Sequence, residues 1–178
     1  DVMFASSRLE VGRNFMNKLW NASRFVQMNL GEDTIPVLES LSIDDLEMPE
    51  RWILSRLNHT IERFNRRMDS FHFNESAKII YDFTWSDFCD WYIEIAKTRF
   101  YGSDPIQAQT ARIVAVHVLK GILRLLHPYA PFITEELWQH FRSADDADLI
   151  VSTWPELDSS LVIESIESNM TALQDVIV

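Results

Sequence analysis

The chain has 178 residues, of which 47% are hydrophobic and 24% are charged, as is typical of one globular domain. Its four glycines and six prolines are too few for a turn-rich β protein or a disordered chain. The formal net charge of −11 counts against nucleic acid as a partner, unless the cations are concentrated in particular segments. Cys89 is the single cysteine, which excludes an intrachain disulfide and favours a reducing compartment. No apolar run approaches the roughly 20 residues of a membrane helix. We therefore expect a cytoplasmic protein with no membrane partner.

Apolar residues recur at spacings of three and four along most of the chain, which predicts an all-α protein. Helices are predicted at residues 6–29, 49–70, 75–98, 106–126 and 131–141, and a last helix begins near residue 159. Pro49 and Pro131 fit first helical positions, and Asn74 is predicted to cap the third helix. The apolar run at 149–152 is predicted to be a strand or an extended segment. Short connections between long helices favour antiparallel neighbours, so we expect an antiparallel helical bundle with one short extended segment.

The charges are distributed unevenly along the chain. Residues 1–30 contain four cations and two acids, and residues 51–70 contain five cations and two acids. Residues 31–50 contain seven acids and residues 143–178 contain eight, with no Lys or Arg in either range. Two basic helices therefore alternate with acidic segments. Solvated helix faces joined by acidic connectors are the ordinary explanation of such a pattern.

The first predicted helix has an apolar stripe and a separate polar band. The stripe consists of Val11, Phe15, Leu19, Ala22, Val26 and Leu30. The polar band consists of Asn14, Lys18, Asn21 and Phe25, flanked by Arg13, Asn17 and Arg24. Amides can read base edges, cations can hold phosphates and an aromatic ring can stack on an unpaired base, so the band is a candidate RNA-binding face. Packing of the same band against another helix explains the pattern equally well.

The second predicted helix carries three arginines, Arg56, Arg63 and Arg67, at spacings of seven and four. This arrangement places them in one band that can follow a nucleic-acid backbone. Together with Arg13 they are candidate phosphate contacts, although a solvated face remains the alternative.

The third predicted helix carries an aromatic stripe, which we interpret as core. Its members are Tyr81, Trp85, Phe88 and Tyr92. Cys89 lies among these aromatics, where a small buried hydrophobe is expected rather than a nucleophile. The sequence contains no glycine-rich phosphate loop, nucleophile elbow or zinc-protease motif, so we expect no catalytic residue and no metal site.

Four stretches of the sequence resemble one known family. They are GRNFMNKLWNASRFV at 12–26, RWILSRLN at 51–58, FHFNESAKIIYDFTWSDFCDWYIEIAKTRFY at 71–101 and LLHPYAPFITEELWQ at 125–139. Together they resemble the anticodon-binding region of class I aminoacyl-tRNA synthetases, and the NKLWNASRF and FCDWY forms are similar to the valine-specific branch. The resemblance covers about residues 1–157, which we expect to be a helical anticodon-binding domain, and residues 158–178 are expected to begin a linker.

The resemblance implies a helical bundle that binds the anticodon stem-loop of tRNA-Val. It also implies that the chain is a fragment of a longer protein, joined to a catalytic domain whose HIGH and KMSKS signatures are absent here. ATP and Mg would belong to that catalytic domain, so the fragment is expected to hold no cofactor and to be inactive alone. In the family, a lysine and a phenylalanine of the first bundle helix meet anticodon bases, and these fall on Lys18 and Phe25.

Three further residues, Asn14, Asn21 and Arg24, are proposed as anticodon contacts from their place on the same face. The LLHPYAPFITEELWQ stretch is interpreted as a structural corner fixed by Pro128 and Pro131. Two alternatives stay open at this point. One is the same domain of an isoleucine or leucine enzyme of the class, and the other is a helical bundle that binds proteins.

Overall fold

The computed structural model describes residues 6–30, 37–43, 46–143 and 145–177. Within these ranges the chain is helical and contains no strand. The α-helices are α1 Ser6–Met28, α2 Met48–Asp69, α3 Phe73–Asp82, α4 Ile93–Phe100, α5 Pro105–Leu126, α6 Pro131–Gln139 and α7 Glu164–Ile177. A π-helical segment, Phe83–Tyr92, joins α3 to α4 in one continuous helix, and short 3₁₀ turns occur at Leu38–Ser40, Leu149–Val151 and Ser159–Leu161. No helix in the described part of the chain is long and apolar enough to cross a membrane.

The helix starts follow local sequence signals at most, but not all, of the predicted positions. Proline occupies the first turn of α2, α5 and α6, where its missing amide hydrogen costs nothing. The Asp104 side chain caps α5 by accepting hydrogen bonds from the backbone amides of Ile106 and Gln107, at 2.9 and 3.2 Å. The prediction that Asn74 caps the third helix is wrong. Phe71 turns the chain with a φ of 60°, so α3 begins at Phe73 and encloses Asn74 in its first turn.

The predicted extended segment at 149–152 is a 3₁₀ turn instead. Its apolar residues do not share an environment, because Leu149 is buried whereas Ile150 and Val151 are exposed. The Leu149 amide donates to the Glu135 carboxylate at 3.2 Å, and the Ser152 hydroxyl donates to the Leu149 carbonyl at 2.8 Å. These contacts close the backbone into a turn. The residues that the structure describes include no strand with which this segment could pair.

The core lies between the long helices. Helices α2 and α5 pack closely at Gly121, where an added Cβ would stand 3.1 Å from the Leu57 side chain. In α1 the predicted stripe is buried at Phe15, Leu19, Ala22 and Val26. Val11 is an exception at 55% exposed, because the stripe runs past the end of the core there.

The aromatic stripe of the third predicted helix is core at its C-terminal half. Phe88 and Tyr92 are fully buried and stack with their ring centroids 6.2 Å apart. Tyr81 and Trp85 are half-buried and form a second stack toward the surface. In a π-helix the backbone hydrogen bonds join residues five apart rather than four. Side chains placed at α-helical spacing therefore do not all stay on one face of this segment.

The predicted corner between α5 and α6 is present, because α5 ends at Leu126 and α6 begins at Pro131. His127 Nδ1 lies 2.8 Å from the Thr134 hydroxyl, which also donates to the Ala130 carbonyl at 2.8 Å. Residues 158–178, expected to begin a linker, include α7, which packs on α2 and buries Met170. The Ser55 hydroxyl of α2 donates to the Glu167 carboxylate of α7, which ties the two helices together.

The contrast between buried and half-buried aromatics generates a stability prediction. Phe88→Ala should lower the free energy of unfolding by about 3–5 kcal/mol, because it removes a fully buried ring and leaves a cavity. Trp91→Ala, at a half-buried position on the same π-helical segment, should cost clearly less. Urea unfolding of the two variants measures both values. Equal losses would contradict the burial pattern.

Candidate nucleic-acid interface

One side of α1 presents the polar band that the sequence predicted. Its exposed members are Arg13, Asn14, Asn17, Asn21 and Arg24. Lys18 and Phe25 are half-buried, because each is held by residues of the continuous helix Phe73–Phe100. The band therefore combines free amides and cations with two side chains whose positions are fixed by neighbours.

Lys18 is held by the π-helical segment. Its Nζ lies 2.5 Å from Asp90 Oδ1 and 3.9 Å from the centroid of the Trp85 ring. An ammonium over an aromatic face is attracted by the ring quadrupole, and the carboxylate adds a charge-assisted hydrogen bond. The Lys18 side chain remains 25% exposed, so it is oriented but still accessible from solvent.

The Trp85 ring continues an aromatic column that begins in the core. Phe15 of α1 stacks on Tyr81 with ring centroids 4.8 Å apart, and Tyr81 stacks on Trp85 at 5.7 Å with an interplanar angle of 15°. Phe15 is 4% exposed, so the column is anchored at its buried end. Stacked aromatics of this kind restrict the ring on which Lys18 rests.

Phe25 packs against the C-terminal end of α4. Its ring centroid lies 5.7 Å from that of Phe100 and 6.5 Å from that of Tyr101, and Lys97 Nζ lies 5.6 Å from the Phe25 ring. Phe25 is therefore not a free solvent-side ring. Tyr101 is 72% exposed and lies beside Phe25, which extends the aromatic surface beyond α1.

Arg99 anchors the helix end on which Phe25 packs. Arg99 donates to Glu50 at 3.0 Å and to Glu47 at 2.8 Å, joining the end of α4 to the start of α2. Glu50 is fully buried, and this desolvation raises the pKa of its carboxyl to about 7 although Arg99 opposes the shift.

The α2 arginines differ in what they contact. Arg63 is exposed, and Arg67 is exposed beside Glu75 at 3.1 Å, in a groove between α2 and α3 that Lys78 also lines. Arg56 instead donates to Asp87 at 2.9 Å and to Glu167 at 3.1 Å. Its guanidinium links α2 to the π-helical segment and to α7, so the geometry does not group it with Arg63 and Arg67.

Four residues of this surface were not singled out from the sequence as contacts. They are Trp85, Asp90, Lys97 and Tyr101. Trp85 was placed in the core, and the other three lie more than 70 residues from their α1 partners along the chain. The sequence signal for these predictions was helical periodicity, which relates only residues within a few turns of the same helix. It could not identify partners on another helix.

The sequence analysis also considered the Cys89 thiol and a metal site. Cys89 is 7% exposed, and burial raises the pKa of its thiol to about 12, so the thiol stays protonated at neutral pH. Among the residues whose placement the structure describes, no cluster of three His, Cys, Asp or Glu side chains is arranged to hold a metal ion.

A helical bundle with an amide-rich, cationic helix face is typical of an RNA-binding domain. The chain belongs to the family described as the anticodon-binding domain of tRNA ligase, whose model matches residues 50–178.

Among curated proteins, the chain is similar to valine–tRNA ligases of bacteria. It is 46% identical over 182 residues to that of Dehalococcoides mccartyi, 41% identical over 177 residues to that of Bacillus cereus and 43% identical over 173 residues to that of Synechocystis. These alignments cover 99%, 99% and 94% of this chain. The chain spans only about one fifth of the length of these relatives, 20%, 20% and 19% respectively.

Among solved structures, the fold is similar to that of a LeuRS of Agrobacterium radiobacter K84, determined as a ternary complex with tRNA and LeuAMS. The TM-score is 0.63 at 20% identity, and the match covers 91% of this chain and 18% of that one. This likeness shows the fold and agrees with the all-α bundle expected from the sequence.

The Glu50 environment generates a pH prediction. Between about pH 4.5, the ordinary pKa of the carboxyl, and about pH 7, the folded protein keeps a proton that the unfolded chain has lost. The free energy of unfolding should therefore fall as the pH rises through this window, by up to about 3 kcal/mol from this group. Glu50→Gln removes that contribution. Urea unfolding of both proteins at several pH values should show curves that diverge across the window, and parallel curves would contradict the raised pKa.

Proposed function

We propose that this chain is the part of a valine–tRNA ligase that recognises the anticodon stem-loop of tRNA-Val, and that α1 is the helix facing the RNA. Membership of the anticodon-binding family and the similarity to valine–tRNA ligases support the proposal. The observation that carries it is the α1 face, where Lys18 is held in place beside exposed amides and cations. The longer protein would attach valine to tRNA-Val in the cytoplasm, with ATP and Mg bound in its catalytic domain.

The contacts divide into two groups by their chemistry. Lys18, Phe25, Asn14, Asn21 and Arg24 are proposed to meet unpaired bases of the anticodon loop, because amides and ammonium groups match base edges and rings stack on bases. The half-buried Phe25 would offer its ring together with the exposed Tyr101, so that a base would rest on a surface supported from below.

The phosphate contacts are proposed to come from Arg13, Arg63 and Arg67. All three side chains are exposed, whereas Arg56 is already bound to two carboxylates and is left out of the proposed interface. The net charge of −11 does not oppose this arrangement, because steering depends on the local field of the basic helices rather than on the sum. With so few phosphate contacts, binding of an isolated hairpin should be weak.

Phe25→Leu and Lys18→Ala test the base contacts. Phe25→Leu keeps an apolar side chain against Phe100 but removes the ring, so it should weaken binding of a valine anticodon hairpin by about 1–3 kcal/mol with a smaller change in folding stability. Lys18→Ala should weaken binding and reduce discrimination against a changed anticodon base. Fluorescence titrations with labelled hairpins, paired with thermal melts, measure both effects.

The matched control is Phe132→Leu, which alters a ring that is 91% exposed on α6. It should leave hairpin binding unchanged. A Phe25→Leu protein that melts several degrees lower yet binds and discriminates normally would show that this face serves packing alone. An isoleucine anticodon hairpin bound as tightly as the valine one would rule out valine specificity in this domain.

Neutralising Arg63 and Arg67 together, each to Gln, tests the phosphate contacts. Binding should weaken equally for all anticodon sequences, and the dependence of log Kd on log salt should become shallower by about one to two. Arg142→Gln, which removes a cation paired with Asp148 beyond α6, is the control and should change neither quantity. An unchanged salt dependence in the double variant would remove the groove between α2 and α3 from the interface.

A further inference from the structure

The ion pair between Lys18 and Asp90 presents two kinds of hydrogen-bonding group at one point of the α1 face. Lys18 gives one hydrogen bond to Asp90 Oδ1 and keeps its other ammonium hydrogens. Asp90 is 50% exposed, and its second oxygen, Oδ2, accepts no hydrogen bond from the residues that the structure describes. A donor and an acceptor therefore lie side by side, with the ammonium above the Trp85 ring.

This arrangement is poorly suited to a phosphate. Phosphate oxygens are acceptors only, so they cannot use the Asp90 carboxylate, and they would be repelled by its charge. Because Asp90 Oδ1 lies 2.5 Å from the ammonium, the pair is close to neutral when viewed from a few ångströms away. Lys18 thus attracts a phosphate much less than an unpaired lysine would.

The edge of an unpaired base fits the pair. Every base presents a hydrogen-bond donor next to an acceptor along its Watson–Crick edge, and proteins read single-stranded RNA along this edge. The order of the two groups is donor then acceptor in adenine and cytosine and the reverse in guanine and uracil, so a fixed Lys18–Asp90 pair matches one order and not the other. The ammonium can donate to the ring nitrogen or carbonyl of the base, while Asp90 Oδ2 accepts from its amino or imino group. Removing either partner leaves one group of the base unpaired.

We propose that Lys18 and Asp90 act together as one reader of an anticodon base edge, with Asp90 as a specificity-determining residue that also prevents phosphate binding at this point. Trp85 is a positioning residue that holds the Lys18 ammonium from below. This inference rests on the proposed function, because it assumes that α1 meets an anticodon loop.

The test uses Asp90→Ala and synthetic RNA hairpins in which each anticodon base is changed in turn. At one anticodon position, discrimination between the valine base and its replacement should shrink about tenfold in Asp90→Ala. Lys18→Ala should lose discrimination at the same position. The salt dependence of Asp90→Ala should become steeper by about one, because Lys18 is then free to neutralise a phosphate.

The matched control is Asp82→Ala. Asp82 lies on the same continuous helix, is 54% exposed and pairs with Lys78 at 2.6 Å, so its removal makes the same change in net charge next to a lysine. Overall affinity can rise in both variants. Only Asp90→Ala should lose discrimination.

The outcomes separate the two levels of the proposal. If Lys18→Ala loses discrimination but Asp90→Ala keeps it, the paired reader is wrong and the anticodon function stands. If neither variant changes discrimination at any position, while both bind the valine hairpin as the unmodified protein does, the α1 assignment fails and the inference fails with it. If Asp90→Ala raises affinity equally for every hairpin, Lys18 is a phosphate contact and the inference is overturned.

Trp85 is tested by a conservative and a non-conservative change. Trp85→Phe keeps an aromatic face under the ammonium and should retain most of the discrimination, whereas Trp85→Leu should lose it. The upfield shift of the Lys18 side-chain methylene protons, caused by the ring, reports positioning without RNA. Discrimination that survives Trp85→Leu would contradict the positioning role.

Discussion

The widening of the long helix between Phe83 and Tyr92 into π geometry determines how the bundle is joined. In a π-helical segment the side chains project at angles that an α-helix does not offer, so neighbouring positions can reach different partners. Trp85 and Asp90 reach Lys18 on α1, and Asp87 reaches Arg56 on α2. The Tyr92 hydroxyl donates to the Ala111 carbonyl of α5 at 3.3 Å, so this one segment contacts three other helices.

These contacts explain how an acidic protein can carry a cationic face. Many of the acids in the described residues are bound to cations inside or between helices, as Asp87 and Glu167 are to Arg56. Arg13, Arg24 and Arg63 are in no ion pair among the described residues and project into solvent. Unpaired cations act over about a Debye length, whereas paired ones act over much shorter distances. Under the proposed function, the unpaired arginines would therefore contribute most to the attraction of an RNA.

Local patterns predicted the helices well because each helix is specified by residues close in sequence. The first-turn positions of Pro49 and Pro131, the α1 stripe from Phe15 to Val26 and the corner between α5 and α6 were all readable in this way. The 3₁₀ turn at 149–151 was not, because an apolar run of three residues has no period and its conformation depends on Glu135, which is distant in sequence. The partners of Lys18 and Phe25 were missed for the same reason. The sequence could identify the face, but not which of its residues are held by other helices.

The buried thiol of Cys89 has a practical consequence. It is the single cysteine of the chain, it is 7% exposed, and it lies in the π-helical segment one residue before Asp90. A thiol reagent can modify it when the segment opens and lets the thiol ionise. The modification rate therefore reports the opening equilibrium of the element that holds Lys18, with no engineered probe. RNA that binds over this element would slow the modification, which turns one native side chain into a measure of occupancy.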